Sequence, residues 1–320
     1  MVPVSSPRSH PEQSRTELWA FLALLAMTAA WGSTFFLIHD VLTRIPVTDL
    51  LTVRFAVASV GLALIAGRQL RMSSRTVRDG VLLGILYGGA QILQTFGLAH
   101  TAASVSGFIT GLYVVLTPLL AALILRTRVS PAVWLAVSLA TVGLGVLSLS
   151  GFSVGYGELL TLASAIVYAG HILATGRLST PGSAISLSLV QAVTITVVCG
   201  LAALWPSTGA GAGLRLPGTA YDWGVVLYLG LVAGALAMVL QTWAQARVEA
   251  SRAAVVMAME PVWAAVFAVA LGGERLTVRM VVGGLAILSA MYVVELAPRR
   301  RTGLPDASIP EPPPEEVFRR

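Results

Sequence analysis

The chain contains no lysine, a single cysteine, and only 11% charged residues, where soluble domains run near 25%. That scarcity of charge excludes an ordinary water-soluble domain. With 56% hydrophobic residues and a mean hydropathy of +0.82, the chain reads as an all-α polytopic membrane protein. Cys199 lies alone in an apolar run and can form no internal disulfide. The four histidines, His10, His39, His100 and His171, show no metal-ligand spacing, so no metal or other cofactor is expected. There is no nucleotide-binding motif, no HExxH, no Gly-x-Ser-x-Gly and no pair of acids inside an apolar segment. ATP drive would therefore need another subunit, and the residues argue against a membrane-embedded enzyme. The net charge of +6 sits on arginines at the edges of apolar runs. It therefore reports topology rather than nucleic-acid binding.

What is there is a series of apolar runs. Ten transmembrane helices are expected at about 18–39, 47–66, 80–98, 104–125, 131–150, 157–175, 185–205, 222–244, 252–271 and 279–296. The first run continues as a spanning helix and carries no small-residue cleavage site, so no cleavable signal is expected. The organisation read from this is a cytoplasmic tail at 1–17, a first five-helix repeat at 18–150, a second at 151–297, and a Pro-rich, charged, disordered tail at 298–320. Arginine sets the orientation. With a cytoplasmic N-terminus, the inner segments hold Arg8, Arg15, Arg68, Arg71, Arg75, Arg78, Arg126, Arg128, Arg177, Arg247, Arg252, Arg299, Arg300 and Arg301. The outer segments hold Arg44, Arg215, Arg275 and Arg279. This asymmetry places both termini in the cytoplasm.

The sequence also repeats itself. Leu93-Gln94-Thr95-Phe96 returns as Leu240-Gln241-Thr242-Trp243, an offset of 147, which also aligns Ala103-Ser104 with Ala250-Ser251 and Arg128 with Arg275. Earlier in each half the offset is 137, aligning Trp31 with Tyr168 and Arg54 with Gln191; the difference is a longer loop near Pro206–Tyr221. Five helices per half is an odd number, so the two halves must be inverted with respect to the membrane. In such architectures the substrate site lies near the midplane, between the repeats.

One stretch stands out at that depth. Ser251–Leu271 is apolar except for Arg252 at its start and Glu260, which is followed at once by Pro261. A charge at a helix centre costs roughly 2.5–3.5 kcal/mol to insert. Proline cannot donate to the carbonyl of Met257, so a kink is expected beside the acid. Two costly features side by side point to a polar cavity. Glu260 has two functional roles open, carrying a proton or binding a substrate ammonium, besides a structural pairing that fixes helix packing. Arg54 lies seven residues into helix 2, about 10 Å deep. It could bind a substrate carboxylate, help to gate, form a structural pair, or snorkel to the outer surface. Gln91 and Gln94, one turn apart, and Gln241 suit either interhelical hydrogen bonding or a cavity lining. Trp31, Ser33, Thr34, Tyr113, Tyr168, His171 and Trp263 could form an aromatic and hydroxyl-bearing wall, although each alone also suits packing. Gly80, Gly84 and Gly88, Gly107 with Gly111, and Gly230 with Gly234 recur every four residues and read as close-packing seams. Pro118 lies one turn beyond the position equivalent to Pro261, so the two repeats are expected to kink at different heights.

These residues resemble the drug/metabolite transporter superfamily, in its ten-helix EamA-type branch. The resemblance is carried by Ala30-Trp31-Gly32-Ser33-Thr34-Phe35, Arg54-Phe55, Gly111-Leu112-Tyr113 through Thr117-Pro118, Met259-Glu260-Pro261-Val262 and Gly273-Glu274-Arg275-Leu276-Thr277, and covers nearly all of 18–296. Arg126-Thr127-Arg128 departs from it, with threonine where that family often has an acid. The resemblance implies a secondary transporter that moves a small metabolite, such as an amino acid or a related compound, out across the cytoplasmic membrane. The other transport readings are a proton-coupled efflux carrier for cations and drugs and, less in keeping with one deep acid between inverted repeats, a channel. The expected partners are a small-molecule substrate, the lipid bilayer and protons. No feature specifies an oligomeric state.

Overall fold

The structure is a computed structural model that describes residues 11–67, 72–126, 129–148, 155–178, 183–204, 214–237, 240 and 256–296. The tails at 1–10 and 297–320, Gln241, Ala250-Ser251 and Arg128 lie outside the described residues.

Ten helices account for nearly all of the described residues. They are α1 (Pro11–Val41), α2 (Val47–Ala66), α3 (Ser74–Leu98), α4 in two segments (Ala103–Gly111 and Tyr113–Leu125), α5 (Pro131–Ser148), α6 (Tyr156–Leu178), α7 (Ala184–Ala203), α8 (Ala220–Leu227, continuing as a π-helix over Tyr228–Leu236), α9 (Glu260–Ala270) and α10 (Val278–Leu296). Among the described residues, six stretches are long and apolar enough to cross a bilayer, including Leu18–Val41 and Ala103–Ile124; Pro131–Leu147, Ala220–Leu236, Glu260–Ala270 and Val278–Val294 are shorter apolar helices. In hydrocarbon the backbone must satisfy its own hydrogen bonds, which explains why helices dominate. Large apolar side chains such as Leu64, Leu123, Val142 and Leu285 point outward, as expected where the surroundings are lipid.

One boundary differs from the sequence reading for a local reason. α3 begins at Ser74 and not at 80, because the Ser73 hydroxyl accepts the Thr76 N–H at 3.1 Å and caps the extra turn.

The two repeats contact one another through equivalent helices. α2 packs on α7, α4 on α9, and α5 on α10, while α3 lies against both α6 and α7. A pseudo-two-fold axis therefore runs between the halves, as an inverted repeat requires. Small residues bring the helices close. The glycine row of α3 fits against α7: a Cβ on Gly84 would lie 2.7 Å from Thr194 Cβ, and one on Gly80 would lie 2.7 Å from Val190 Cβ. Gly107 admits Ala264 of α9 in the same way, with 2.5 Å left for a Cβ.

At one end of the bundle, Arg44 joins α1 to α8. It bonds Asp40 at 2.7 Å and the buried Asp222 at 2.9 Å. The Asp40 and Asp222 carboxylates raise the affinity of its guanidinium for its proton above the ordinary range. Glu274, in the segment between α9 and α10, accepts the Ala103 N–H at 2.7 Å, the Ser104 N–H at 3.4 Å and the Ser104 hydroxyl. It thus closes the N-terminus of α4.

Candidate functional site between the repeats

Two helix breaks face each other at the centre of the molecule. In α4 the regular helix stops at Gly111 and restarts at Tyr113, with Leu112 between at φ −59°, ψ −16° and its N–H on Ile109 O at 3.1 Å. In α9 the described chain turns at Ala258-Met259 and the helix restarts at Glu260; Met259 N–H meets Val256 O at 3.0 Å. The offset of 147 aligns Leu112 with Met259, Ile109 with Val256 and Tyr113 with Glu260. Both repeats thus make the same tight i→i−3 turn at the same place. The interruptions fall at equivalent positions of the two repeats, where the sequence reading expects kinks at different heights, and Pro118 lies inside the second segment of α4. As Pro261 leads one to expect, the described helix is interrupted beside Glu260, and the proline itself falls in the first turn of α9. Its missing donor is consistent with the break just before it.

The first residues after the two breaks meet: the Tyr113 hydroxyl donates to Glu260 Oε2 at 3.4 Å. From there a polar and aromatic chain crosses to α2. The Tyr113 ring lies 6.4 Å from that of Tyr168, and the Tyr168 ring lies 5.8 Å from that of Tyr87. Tyr168 OH donates to Gln94 Oε1 at 3.0 Å, and Gln94 Nε2 donates to Thr110 Oγ1 at 3.1 Å. Gln91 Nε2 donates to Tyr87 OH at 3.1 Å, and Arg54 Nη1 reaches Gln91 Oε1 at 3.4 Å. Arg54 is 6% exposed, so it does not snorkel to the surface. Among the described residues no carboxylate lies within ion-pair distance of Arg54 and no cation within that distance of Glu260.

Beside Arg54 is a cavity of about 20 Å³ lined by residues of α1, α2, α3, α7 and α8. Its lining contains pairs of repeat mates: Arg54 and Gln191, Phe55 and Ala192, Ala58 and Ile195, Tyr87 and Gly234. It therefore lies on the pseudo-two-fold axis, and the two halves furnish it unequally. The first repeat contributes the cation and the phenol, the second an amide and a glycine.

The other residues singled out from sequence fall into place around this chain. Trp31 lines the cavity and donates from Nε1 to Ala233 O at 2.9 Å, within the π-helical part of α8. π-turns of this kind are frequent at functional sites. His171 stacks near Tyr87, with ring centroids 5.1 Å apart, and pairs its Nε2 with Gln191 Oε1 at 2.8 Å. Ser33 bonds Tyr228 OH at 2.8 Å and serves to join α1 to α8. Trp263 stacks on Phe267, and its Cβ lies against Gly32, which places it in the α1–α9 packing. Its Nε1 has no hydrogen-bond partner among the described residues. Gln241 lies outside the described residues. Sequence reasoning left Tyr87 and Gln191 off the candidate site. Gln191 had a signal, being the repeat mate of Arg54; the signal for Tyr87 was its place one turn before Gln91.

Comparisons with known proteins agree with this architecture. The sequence pattern of the EamA-like transporter family matches twice, over residues 18–149 and 155–296. An uncharacterized transporter of Archaeoglobus fulgidus is 30% identical over 284 residues, covering 87% of this chain and 86% of its own. A solved crystal structure, 18% identical, covers 90% of this chain and 98% of its own with a TM-score of 0.55, a likeness of fold. The chain belongs to the EamA-like transporter family of the drug/metabolite transporter superfamily and is a multi-pass membrane transporter.

Proposed function

We propose that this protein is a secondary transporter exporting a small metabolite, an amino acid or related compound, across the cytoplasmic membrane by alternating access, with both termini in the cytoplasm. The observation that carries the reading is the pair of equivalent helix breaks at Leu112 and Met259, with Tyr113 and Glu260 in contact across the axis. Where interrupted helices meet between inverted repeats, polar side chains gather at membrane depth, here Tyr113 and Glu260, and can replace the hydration of a solute. The central cavity of about 20 Å³ has room for one or two water-sized groups. A metabolite fits only after the helices part, which favours a carrier over an open pore. The substrate path in this reading runs from the Arg54 cavity along Tyr87, Tyr168 and Tyr113 to Glu260.

A second reading, proton-coupled efflux of cations, is favoured by one feature: Glu260 has a phenol partner but no cation at ion-pair distance among the described residues. A carboxylate so placed takes up a proton or a cationic group. The test is counter-flow in proteoliposomes loaded with unlabelled amino acids and, separately, with lipophilic cations. Saturable counter-flow of a labelled amino acid supports the first reading, and pH-driven cation flux the second. A linear, non-saturating flux would defeat both in favour of a pore.

A further inference from the structure

We infer that the cavity beside Arg54 seats a carboxylate group, so that the molecules carried are carboxylates. The inference rests on the transport reading above and adds to it the chemistry of one end of the substrate. Arg54 is the buried cation of this region, with 6% exposure. Its contacts leave most of it unspent. Nη1 makes one long contact to Gln91 Oε1 at 3.4 Å, the guanidinium lies over the Phe55 ring at 5.2 Å, and Nε has no hydrogen-bond partner among the described residues. A guanidinium cannot shed its proton under ordinary conditions, so at membrane depth it needs an anion or water. No carboxylate among the described residues is within reach to supply that anion.

The adjoining space fits the missing partner. At about 20 Å³ it takes one or two water-sized groups, such as the two oxygens of a carboxylate, and not a whole metabolite. Gln191, which lines the same cavity, has its Oε1 engaged by His171, so the amide N–H groups are the donors that remain. A planar guanidinium fork with a further N–H donor in the lining matches the two oxygens of a carboxylate better than a spherical ion. Glu260, the acid of the site, stands at the other end of the tyrosine chain, which leaves the remainder of the solute to lie along Tyr87 and Tyr168.

The experiment uses the purified full-length protein in detergent, with formate as the smallest carboxylate probe and formamide and chloride as controls at matched ionic strength. Binding is read as a rise in the thermal midpoint. Formate is expected to raise the midpoint saturably, and formamide and chloride to leave it unmoved. Arg54→Gln should abolish the formate response, and Arg54→Lys should weaken it. Gln191→Glu places a tethered carboxylate in the cavity; it should raise the basal midpoint and eliminate the response to added formate. Equal responses to formate and formamide would overturn the inference, and so would a chloride response as large as formate's. An unchanged formate response in Gln191→Glu would also overturn it, even if Arg54→Gln fails to fold. An Arg54-dependent formate site in a protein that shows no solute counter-flow in liposomes would keep this inference and defeat the transport reading. Counter-flow of solutes lacking a carboxyl group, undiminished in Arg54→Gln, would do the reverse.

Discussion

Gly84 offers a quantitative test of how the repeats are held together. A methyl group added there would lie 2.7 Å from Thr194 Cβ, 3.0 Å from Thr194 Cγ2 and 3.1 Å from Gln191 Cα. Carbon atoms pack best at about 3.5–4.0 Å, so α7 must retreat from α3 by about 1 Å. The atoms in the way are backbone and the first side-chain carbon, which cannot rotate aside. Overpacking of this kind costs about 1–3 kcal/mol. Gly89 is an internal control, because nothing lies within 4 Å of a Cβ built there. Alanine at that position should gain up to about 1 kcal/mol of helix propensity. The assay is thermal unfolding of purified variants followed by fluorescence-detected size exclusion. Gly84→Ala should melt below wild type, and Gly89→Ala at or above it. Since α7 carries Gln191 to the cavity, Gly84→Ala should also slow transport per folded molecule. If Gly84→Ala and Gly89→Ala melt together, the close α3–α7 contact is not what holds the two repeats.

Two further outcomes follow. Glu274→Gln keeps shape but removes the charge that accepts the Ala103 and Ser104 N–H groups, so it should lower stability by about 0.5–2 kcal/mol, the range of a helix cap, measured by the same melting assay. Reporter fusions at Arg75 and at Gly213 should read cytoplasmic and external respectively; an external signal at Arg75 would overturn the proposed orientation.

The sequence carried the ten helices, the five-plus-five repeat and the family, because each rests on bulk properties. Apolar length selects spans, and two offsets reveal the duplication. The helix breaks were legible only in part. Pro261 signalled a disruption next to Glu260, but Leu112 carries no breaker, and its turn was visible only through alignment with Met259. Pro118 misled for the same reason: proline removes one hydrogen bond, and neighbouring packing decides whether the helix stops there. The central chain was half legible. Arg54, Gln94, Tyr113, Tyr168 and Glu260 declared themselves as polar or aromatic residues deep in apolar runs. Tyr87 did not, because one tyrosine in a helix rich in glycine and leucine looks like packing until its ring is seen between Tyr168 and Phe55. Ser33 and Trp263 matched the expected wall by type, yet they make helix–helix contacts, which residue type alone does not distinguish.

The central claim is that the facing breaks, with Glu260 between them, form the transport site. The measurement that tests it most directly is solute flux in proteoliposomes containing Glu260→Gln, across a pH series, with protein amount and thermal midpoint determined in parallel. The substitution retains the shape that receives the Tyr113 hydroxyl and removes the charge. The account predicts normal insertion and stability with flux strongly reduced. Loss of pH dependence with solute exchange retained would assign Glu260 to proton transfer. Weakened affinity at every pH would assign it to an ammonium. Flux equal to wild type at all pH values would contradict the account and make Glu260 a packing residue.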